Sequence, residues 1–207
     1  HSPLRRLLVP FFSMKAVEAH RPYTEQLCHE LIDGFIENGA CDAAADYAQQ
    51  ISPRVIGHLL GVDLGRREEF VGWVQGLVEL GASNFELRSK SYRAVRDFLG
   101  EQIAKQRADP GDNYISRLLA SEIDGEPVPD IVILNMCMLI LVAGVDTTWS
   151  TIGSSLWHFA SHPKDRQRLV AEPELLSSAV EEMLRLHAPA SAGRVAMKDM
   201  DHDGHRI

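Results

Sequence analysis

Cysteine is scarce in this sequence. The 207 residues include three cysteines, Cys28, Cys41 and Cys137, and no two of them have C-x-x-C spacing. Their odd number, and the position of Cys137 inside an apolar segment, argue against a disulfide framework. Reduced thiols are typical of cytoplasmic proteins, and we expect a cytoplasmic location.

Positive charge is also in short supply. The chain has 21 Lys and Arg against 29 Asp and Glu, which gives a formal net charge of -8. Such a chain repels polyanions, and no stripe of basic residues with interleaved aromatic residues compensates for it. We therefore expect no nucleic-acid partner.

The sequence lacks an apolar run long enough to cross a membrane. The best candidate, residues 131–145, contains Asn135 and is about five residues shorter than the roughly 20 that a bilayer requires. We interpret it as a buried core helix and expect no membrane partner. The chain starts at His1 without a charged and apolar leader, and we expect both ends to be cut from something longer.

The local motifs of several enzyme classes are missing. The sequence contains no H-E-x-x-H, G-x-S-x-G, P-loop or G-x-G-x-x-G, and no Glu-x-x-His from which a di-iron bundle is built. A helical hydrolase or metal bundle is therefore disfavoured. Residues 199–205 are rich in Asp and His but surround a turn, so solvation is favoured there over metal binding.

Most of the chain has helical periodicity. Pro is tolerated in the first turn of a helix, and Pro129, Pro163 and Pro173 are each predicted to open one. Helices are expected over residues 4–12, 17–38, 47–60, 66–80, 85–107, 112–121, 129–161 and 174–186, with another after Pro163.

Only the end of the chain has the alternation of a β-strand. It begins near Arg194, continues through Val195 and Met197, and contains an Asp203-Gly204 turn that predicts a hairpin. No repeat or flexible linker divides the chain. The predicted fold class is mainly α, in one domain or part of one, with a short β-hairpin at the C-terminal end.

A polar stretch, LVAGVDTTWS, interrupts the most apolar helix. Gly in a helix interior costs about 1 kcal/mol relative to Ala, and a buried Asp costs more unless it is paired or close to water. Ala143 and Thr147 share a face next to Gly144, which indicates a notch that admits a ligand. Thr147 would bond back to a carbonyl one turn earlier, or free that carbonyl for water. The structural alternative is that Gly144 allows close helix packing and Asp146 pairs with an Arg or Lys.

Three further features are weak when taken singly. Glu182 and Arg185 are three residues apart and can pair along a helix face. His1 and Arg5 share a face of another helix, and Arg194 is an isolated cation. Each of these is by itself typical of a solvated surface.

In combination and in this order, these segments resemble the middle of a bacterial, soluble cytochrome P450. The resemblance implies a partial cytochrome P450 fold over residues 1–207, running from the C helix to the first core sheet. HSPLRRLL resembles the end of the C helix, CDAAADYAQQISPRVIGHLLGV the E-helix region, AGVDTTWSTI the I helix, HPKDRQRLVAEPELLSSAVEEMLRLHAP the J and K helices, and GRVAMKDMDHDGHRI the first core sheet.

The resemblance implies a role for each site residue. Ala143 and Gly144 would lie against haem b, Thr147 would hydrogen-bond the bound dioxygen, and Asp146 would relay protons. The remaining roles fall into three groups: His1, Arg5 and Arg194 would bind the haem propionates; Glu182 and Arg185 would form a buried structural network; and Leu139, Val142, Ala143 and Ala190 would line an apolar substrate pocket. Residues 66–107 would cover this pocket, with Phe70, Trp73 and Phe85 but no decisive polar contact.

The family's axial cysteine loop, F-x-x-G-x-x-x-C-x-G, is absent from this sequence. Because the thiolate drives cleavage of the O–O bond, we expect the 207-residue segment to be inactive by itself and to hold no metal ligand. The resemblance implies that the intact enzyme inserts one atom of O2 into an apolar small molecule, with electrons from a ferredoxin or similar carrier. The alternative is a non-catalytic helical scaffold that binds a hydrophobic ligand or partner.

Overall fold

The computed structural model describes residues 2–190 and 196–206. The described chain is mainly α-helical, as predicted. Its helices are α1 (Ser2–Leu8), α2 (Met14–Glu18), α3 (Arg21–Phe35), α4 (Gln49–Leu60), α5 (Arg67–Val78), α6 (Phe85–Ala108), α7 (Tyr114–Leu119), α8 (Asp130–Ser161), α9 (Pro163–Ala171) and α10 (Leu176–Leu186). Short 3-10 turns lie at Val9–Phe12, Ile36–Asn38, Leu64–Arg66, Leu80–Ala82 and Pro173–Leu175, and a π-helical turn at Ala43–Ala48 precedes α4.

The predicted helix over residues 17–38 is divided in the structure. It breaks between α2 and α3, because Pro22 lies in the first turn of α3 and has no N–H to continue the preceding helix. The prediction for α4 was closer, since that helix contains Pro53 in its interior as expected. Side-chain caps define other boundaries: Asn84 accepts a hydrogen bond from the Leu87 amide at 3.0 Å at the start of α6.

Helix α8 lies at the centre of the hydrophobic core and contacts α4, α5, α6 and α7. Buried residues recur every four positions along one side of α8, because residues four apart lie on the same face of a helix. The residues of this face are Ile133, Cys137, Leu141, Val145 and Trp149. Burial of such a stripe, and not the intrinsic preference of each residue, supplies most of the stability of a helix in a folded protein.

The length of α8 corrects the sequence-based argument about membranes. The helix has 32 residues and is apolar enough, by length and composition alone, to cross a bilayer. Core helices of soluble proteins pass the same test. Helix α8 packs against α4, α5, α6 and α7 and also contacts α9 and α10, and its residues Ile133, Cys137, Leu141 and Val145 are fully buried, as in a core helix.

Two small antiparallel hairpins complete the described chain. The first, β1 (Glu122–Ile123) with β2 (Glu126–Pro127), was not predicted. The second, β3 (Asp201–His202) with β4 (His205–Arg206), is the predicted one. Both turns place Asp and Gly at positive φ, which matches the right-handed twist of the strands. Met197 lies in a bend outside these strands, and Val195 lies outside the described residues.

Candidate functional site

The polar stretch of α8 does not break the helix. Thr147 Oγ1 donates a hydrogen bond to the Ala143 carbonyl at 2.8 Å, and Thr151 Oγ1 donates to the Thr147 carbonyl at 2.8 Å. Ser155 continues the series with a bond to the Thr151 carbonyl at 2.7 Å. The sequence predicted either that Thr147 bonds to a carbonyl one turn earlier or that it frees this carbonyl for water. The structure has the first arrangement. A run of such bonds along one helix face favours bending toward that face.

Gly144 is a point of close helix packing. A Cβ at this position would lie 2.8 Å from Ile56 Cδ1, so the absence of a side chain lets α4 approach α8. One turn along the same contact, buried Ser52 Oγ donates a hydrogen bond to the Val145 carbonyl at 3.0 Å. These contacts favour the structural interpretation of Gly144, while Ala143 beside it is exposed.

The Asp146 carboxylate is bonded to an indole and not to a cation. Trp149 Nε1 donates a hydrogen bond to Asp146 Oδ1 at 3.1 Å, and the Trp149 ring is 4% exposed. Among the described residues, Asp146 therefore forms no ion pair with an Arg or Lys, in contrast to the structural alternative. The sequence placed Trp149 three residues after Asp146, a spacing at which helical side chains meet, but we did not predict this contact.

A cleft of about 910 Å³ opens between α5, α6 and α8, next to this polar stretch. Leu139, Val142 and Asp146 all line it, so the structure brings together two predicted pocket residues and the predicted acid. Ala190 lies in the bend after α10 and is not among the lining residues. The other lining residues are Leu77, Val78, Ala82, Phe85, Arg88, Ser89, Tyr92, Arg93, Asn135 and Met138.

The α6 wall of this cleft corrects the expectation that the covering segment has no polar contact. Phe70 is buried in the core, and Trp73 packs against Phe98 with ring centroids 5.9 Å apart. Of the three aromatic residues singled out in the sequence, only Phe85 lines the cleft. The polar lining residues of α6 were missed, because helical spacing alone does not tell a cleft wall from a solvated face.

Glu182 and Arg185 form the predicted pair on α10. Arg185 Nε and Nη2 donate to the two Glu182 carboxylate oxygens, both at 2.7 Å. The hydrogen bond from Arg185 lowers the pKa of the Glu182 carboxyl. The pair is 51% and 69% exposed among the described residues, and the buried network expected of the intact enzyme stays a prediction. Glu182 also borders a shallow cavity of about 450 Å³ between the ends of α8, α9 and α10.

The residues expected at a haem group are only partly described. Arg5 is exposed on α1, whereas His1 and Arg194 lie outside the described residues. Ala143, whose carbonyl accepts the Thr147 hydroxyl hydrogen bond, is exposed and has a small apolar side chain, which fits contact with an apolar group. Cys137 does not fit an axial ligand, because the thiol is fully buried in the core and burial raises its pKa to about 12.

Comparison with known proteins identifies a protein family that this chain matches. The family model for cytochrome P450 matches residues 83–207. The polyketide biosynthesis cytochrome P450 PksS of Bacillus subtilis is 30% identical over 100% of this chain and 52% of its own length. The vitamin D(3) 25-hydroxylase of Pseudonocardia autotrophica is 32% identical over 99% of this chain and 51% of its own length.

Solved structures give the same result. The PksS structure has a TM-score of 0.91 and 30% identity, with 100% of this chain and 54% of that chain covered. P450BioI, solved in complex with a hexadec-9Z-enoic acid ligated acyl carrier protein, has a TM-score of 0.89 and 28% identity, with 100% and 55% covered. The chain thus spans about half the length of the curated relatives that it matches.

Proposed function

The chain belongs to the cytochrome P450 family, whose members are generally haem-thiolate mono-oxygenases, and from this premise we propose its function. It is the central part of an enzyme that inserts one atom of O2 into an apolar small molecule. Residues 1–207 form a partial domain, and the cysteine loop and the N-terminal region come from the rest of the enzyme. The 207-residue segment by itself is inactive.

One observation carries this proposal: Asp146, from the polar stretch of α8, lies in a cleft whose α8 wall is mostly apolar. Asp146 lines the cleft together with Leu139 and Val142, and Thr147 follows Asp146 directly. A carboxylate costs stability in a core helix, so the position of Asp146 next to a ligand-sized space supports a catalytic role. The cleft volume of about 910 Å³ is within the range typical of small-molecule sites.

The proposed cofactor is haem b, which supplies the one-electron and dioxygen chemistry when it is bound. Ala143 would lie against it, where a small side chain leaves the backbone accessible; Gly144, also expected at the haem, packs against Ile56 of α4 in the described chain. His1, Arg5 and Arg194 would hold the propionates through charge-assisted hydrogen bonds. Exposure of Ala143 and of Arg5 supports this assignment, because both are free to contact a group outside the described chain.

Thr147 and Asp146 would hold and move protons at the reacting oxygen. The Thr147 hydroxyl hydrogen points to the Ala143 carbonyl, so its oxygen accepts in this arrangement and donates once the hydroxyl turns. Trp149 holds Oδ1 of Asp146, which leaves Oδ2 to exchange protons with water. In this proposal protons pass from solvent in the cleft through Asp146 to the Thr147 hydroxyl.

An apolar substrate is supported by the α8 wall of the cleft, where Leu139 and Val142 are 57% and 42% exposed. Ala190 is a further proposed pocket residue. The names of two relatives refer to polyketide biosynthesis and to vitamin D(3). Electrons would come from a ferredoxin or similar carrier, for which exposed Arg5 and Arg6 offer positive charge to an acidic partner. A cytoplasmic location is proposed from the three unpaired cysteines.

The experiment that tests this function is a carbon-monoxide difference spectrum of the reduced enzyme, with the reading frame extended in both directions. A strongly red-shifted Soret band is expected, since a thiolate ligand produces it. The 207-residue chain, purified in parallel, is the control and should lack the band. If the extended protein binds no haem, the proposal is wrong, and a non-catalytic scaffold that binds a hydrophobic ligand is favoured.

A further inference from the structure

The two walls of the α8 cleft differ in chemistry. The α8 wall is mostly apolar, with Met138, Leu139 and Val142. The α6 wall carries hydrogen-bond donors on one helix face, because residues four apart lie above one another. These donors are Arg88, Ser89, Tyr92 and Arg93. A ligand that fills the cleft therefore meets an apolar surface on one side and polar groups on the other.

Both arginines of the α6 wall carry uncompensated charge. Among the residues that the structure describes, no carboxylate oxygen lies within 4.0 Å of either guanidinium. Arg93 Nε instead donates to the Ser89 carbonyl at 3.2 Å, which holds the Arg93 side chain along α6. Elsewhere in this acidic chain, exposed arginines such as Arg66 and Arg117 do pair with a nearby carboxylate.

The one acidic side chain that lines the cleft does not neutralise these arginines. Asp146 lies on the α8 wall, and its Oδ1 accepts the Trp149 indole N–H. Two cations on one wall of a partly apolar cleft, with no ion-paired carboxylate among the described residues, offer positive charge to an anionic ligand group. Guanidinium groups suit carboxylates in particular, because their planar N–H donors match the two oxygens.

We propose that the substrate of this cleft has an apolar body and a carboxylate, and that Arg88 and Arg93 are the residues that recognise the carboxylate. The inference rests on the proposed function, since it names the substrate class of the same site. The apolar body lies along Leu139 and Val142 on the α8 wall, which also carries Asp146. Thr147 is the next residue of the same helix. Arg88 and Arg93 contact substrate only and take no part in proton transfer.

The test compares two ligands with the same alkyl chain, dodecanoic acid, which is ionised at neutral pH, and its uncharged methyl ester. Their binding to the extended, haem-loaded enzyme is measured by isothermal titration calorimetry at low and at high salt. We expect the acid to bind about 10- to 100-fold more tightly than the ester, as charge-assisted hydrogen bonds imply. Salt should weaken binding of the acid but not of the ester.

Variants assign the effect to the two arginines. The double variant Arg88→Gln/Arg93→Gln should lose the preference for the acid and keep its affinity for the ester. Arg96→Gln is the matched control, because Arg96 is exposed on the same helix but does not line the cleft. It should bind both ligands as the wild type does, and circular dichroism should show unchanged helix content in all variants.

Each possible result supports or overturns the carboxylate proposal. Equal affinities for acid and ester, an unchanged preference in the double variant, or no binding of either ligand would overturn the carboxylate proposal. Calorimetry detects binding without turnover, so it separates this proposal from the proposed function. A normal carbon-monoxide spectrum with no preference for the acid refutes the substrate class alone, whereas a missing spectrum refutes the mono-oxygenase itself.

Discussion

At the scale of single residues, the hydrogen bond between Trp149 and Asp146 explains how a carboxylate is accommodated on a core helix. A carboxylate in this position needs a donor, since its desolvation is otherwise unfavourable. The Trp149 ring is buried and its N–H is the donor, at 3.1 Å from Asp146 Oδ1. The indole is a neutral donor, and it engages Oδ1 of the Asp146 carboxylate.

The first prediction concerns this donor. Trp149→Phe keeps a buried aromatic ring but removes the N–H, so Asp146 should lose its fixed orientation. In the extended enzyme, we expect the yield of product per NAD(P)H consumed to fall by roughly 3- to 10-fold, as loss of about one hydrogen bond implies. Coupling is measured as product formed per NAD(P)H consumed.

The control for this prediction is Trp157→Phe, since Trp157 lies on the same helix and is 63% exposed. It should leave coupling unchanged. A second readout does not depend on turnover: Asp146→Asn should move the indole N–H resonance of Trp149 and not that of Trp157 in an NMR spectrum. If Trp149→Phe couples normally, Trp149 does not position the acid.

A second prediction separates Thr147 from the other hydroxyls of α8. Thr147→Ala removes the hydroxyl proposed to deliver protons, so haem should still bind while reducing equivalents are diverted to hydrogen peroxide. Thr151→Ala is the control, because Thr151 makes the same kind of backbone hydrogen bond one turn later, at 2.8 Å. Peroxide is measured alongside NAD(P)H consumption, and equal peroxide yields from the two variants would contradict the role of Thr147.

At the scale of elements, the contact between α4 and α8 determines where the polar stretch lies. Gly144 admits Ile56, and Ser52 donates to the Val145 carbonyl beside it. The two contacts fix the rotation of α8 about its own axis, because they hold one face against α4. The face that carries Asp146 and Val142 is then directed to the cleft.

The third prediction tests this contact with a double-mutant cycle. Gly144→Ala adds a Cβ that meets Ile56 Cδ1 at 2.8 Å, and Ile56→Val removes that methyl group. The effect of Gly144→Ala on the free energy of unfolding should be more favourable, by about 0.5 to 1 kcal/mol, in the Ile56→Val background than in the wild type. The free energy of unfolding is measured by urea denaturation. Additive effects of the two substitutions would show that Gly144 and Ile56 are not in contact in solution.

At the scale of the whole molecule, the chain has surfaces that its own described residues do not cover. The Glu182–Arg185 pair is bidentate yet largely exposed on α10. The chain also spans about half the length of its curated relatives. We propose that the rest of the enzyme buries this pair, which turns a screened surface interaction into a structural one.

The fourth prediction follows from that change of environment. Glu182→Ala should leave the helix content of the 207-residue chain unchanged, because the pair is exposed there. In the extended enzyme it should strongly reduce the haem content, because Arg185 would be buried without its partner. Glu181→Ala, one residue earlier on the same helix, is the control and should retain haem. Haem is measured as the ratio of Soret to protein absorbance, and a normal ratio in Glu182→Ala would refute the buried role.

How much of the fold could be predicted depends on the range of the interactions. Helices α6 and α8 were predicted within a few residues, because local caps such as Asn84 and a four-residue apolar repeat are visible in the sequence. The first hairpin was missed, since two-residue strands carry almost no periodicity. The break before α3 was missed because Pro22 competes with an amphipathic pattern that continues through it.

The sequence by itself determined the family, the helical fold class and the position of the polar stretch, because these depend on residue type and on spacing along the chain. Tertiary structure alone decided what the stretch contacts. The packing of α4 explains Gly144, a buried indole accompanies Asp146, and the fold of α6 over α8 brings Arg88 and Arg93 to the cleft. The physical reason is that burial and charge compensation depend on residues distant in sequence, whose distances are set only when the helices pack.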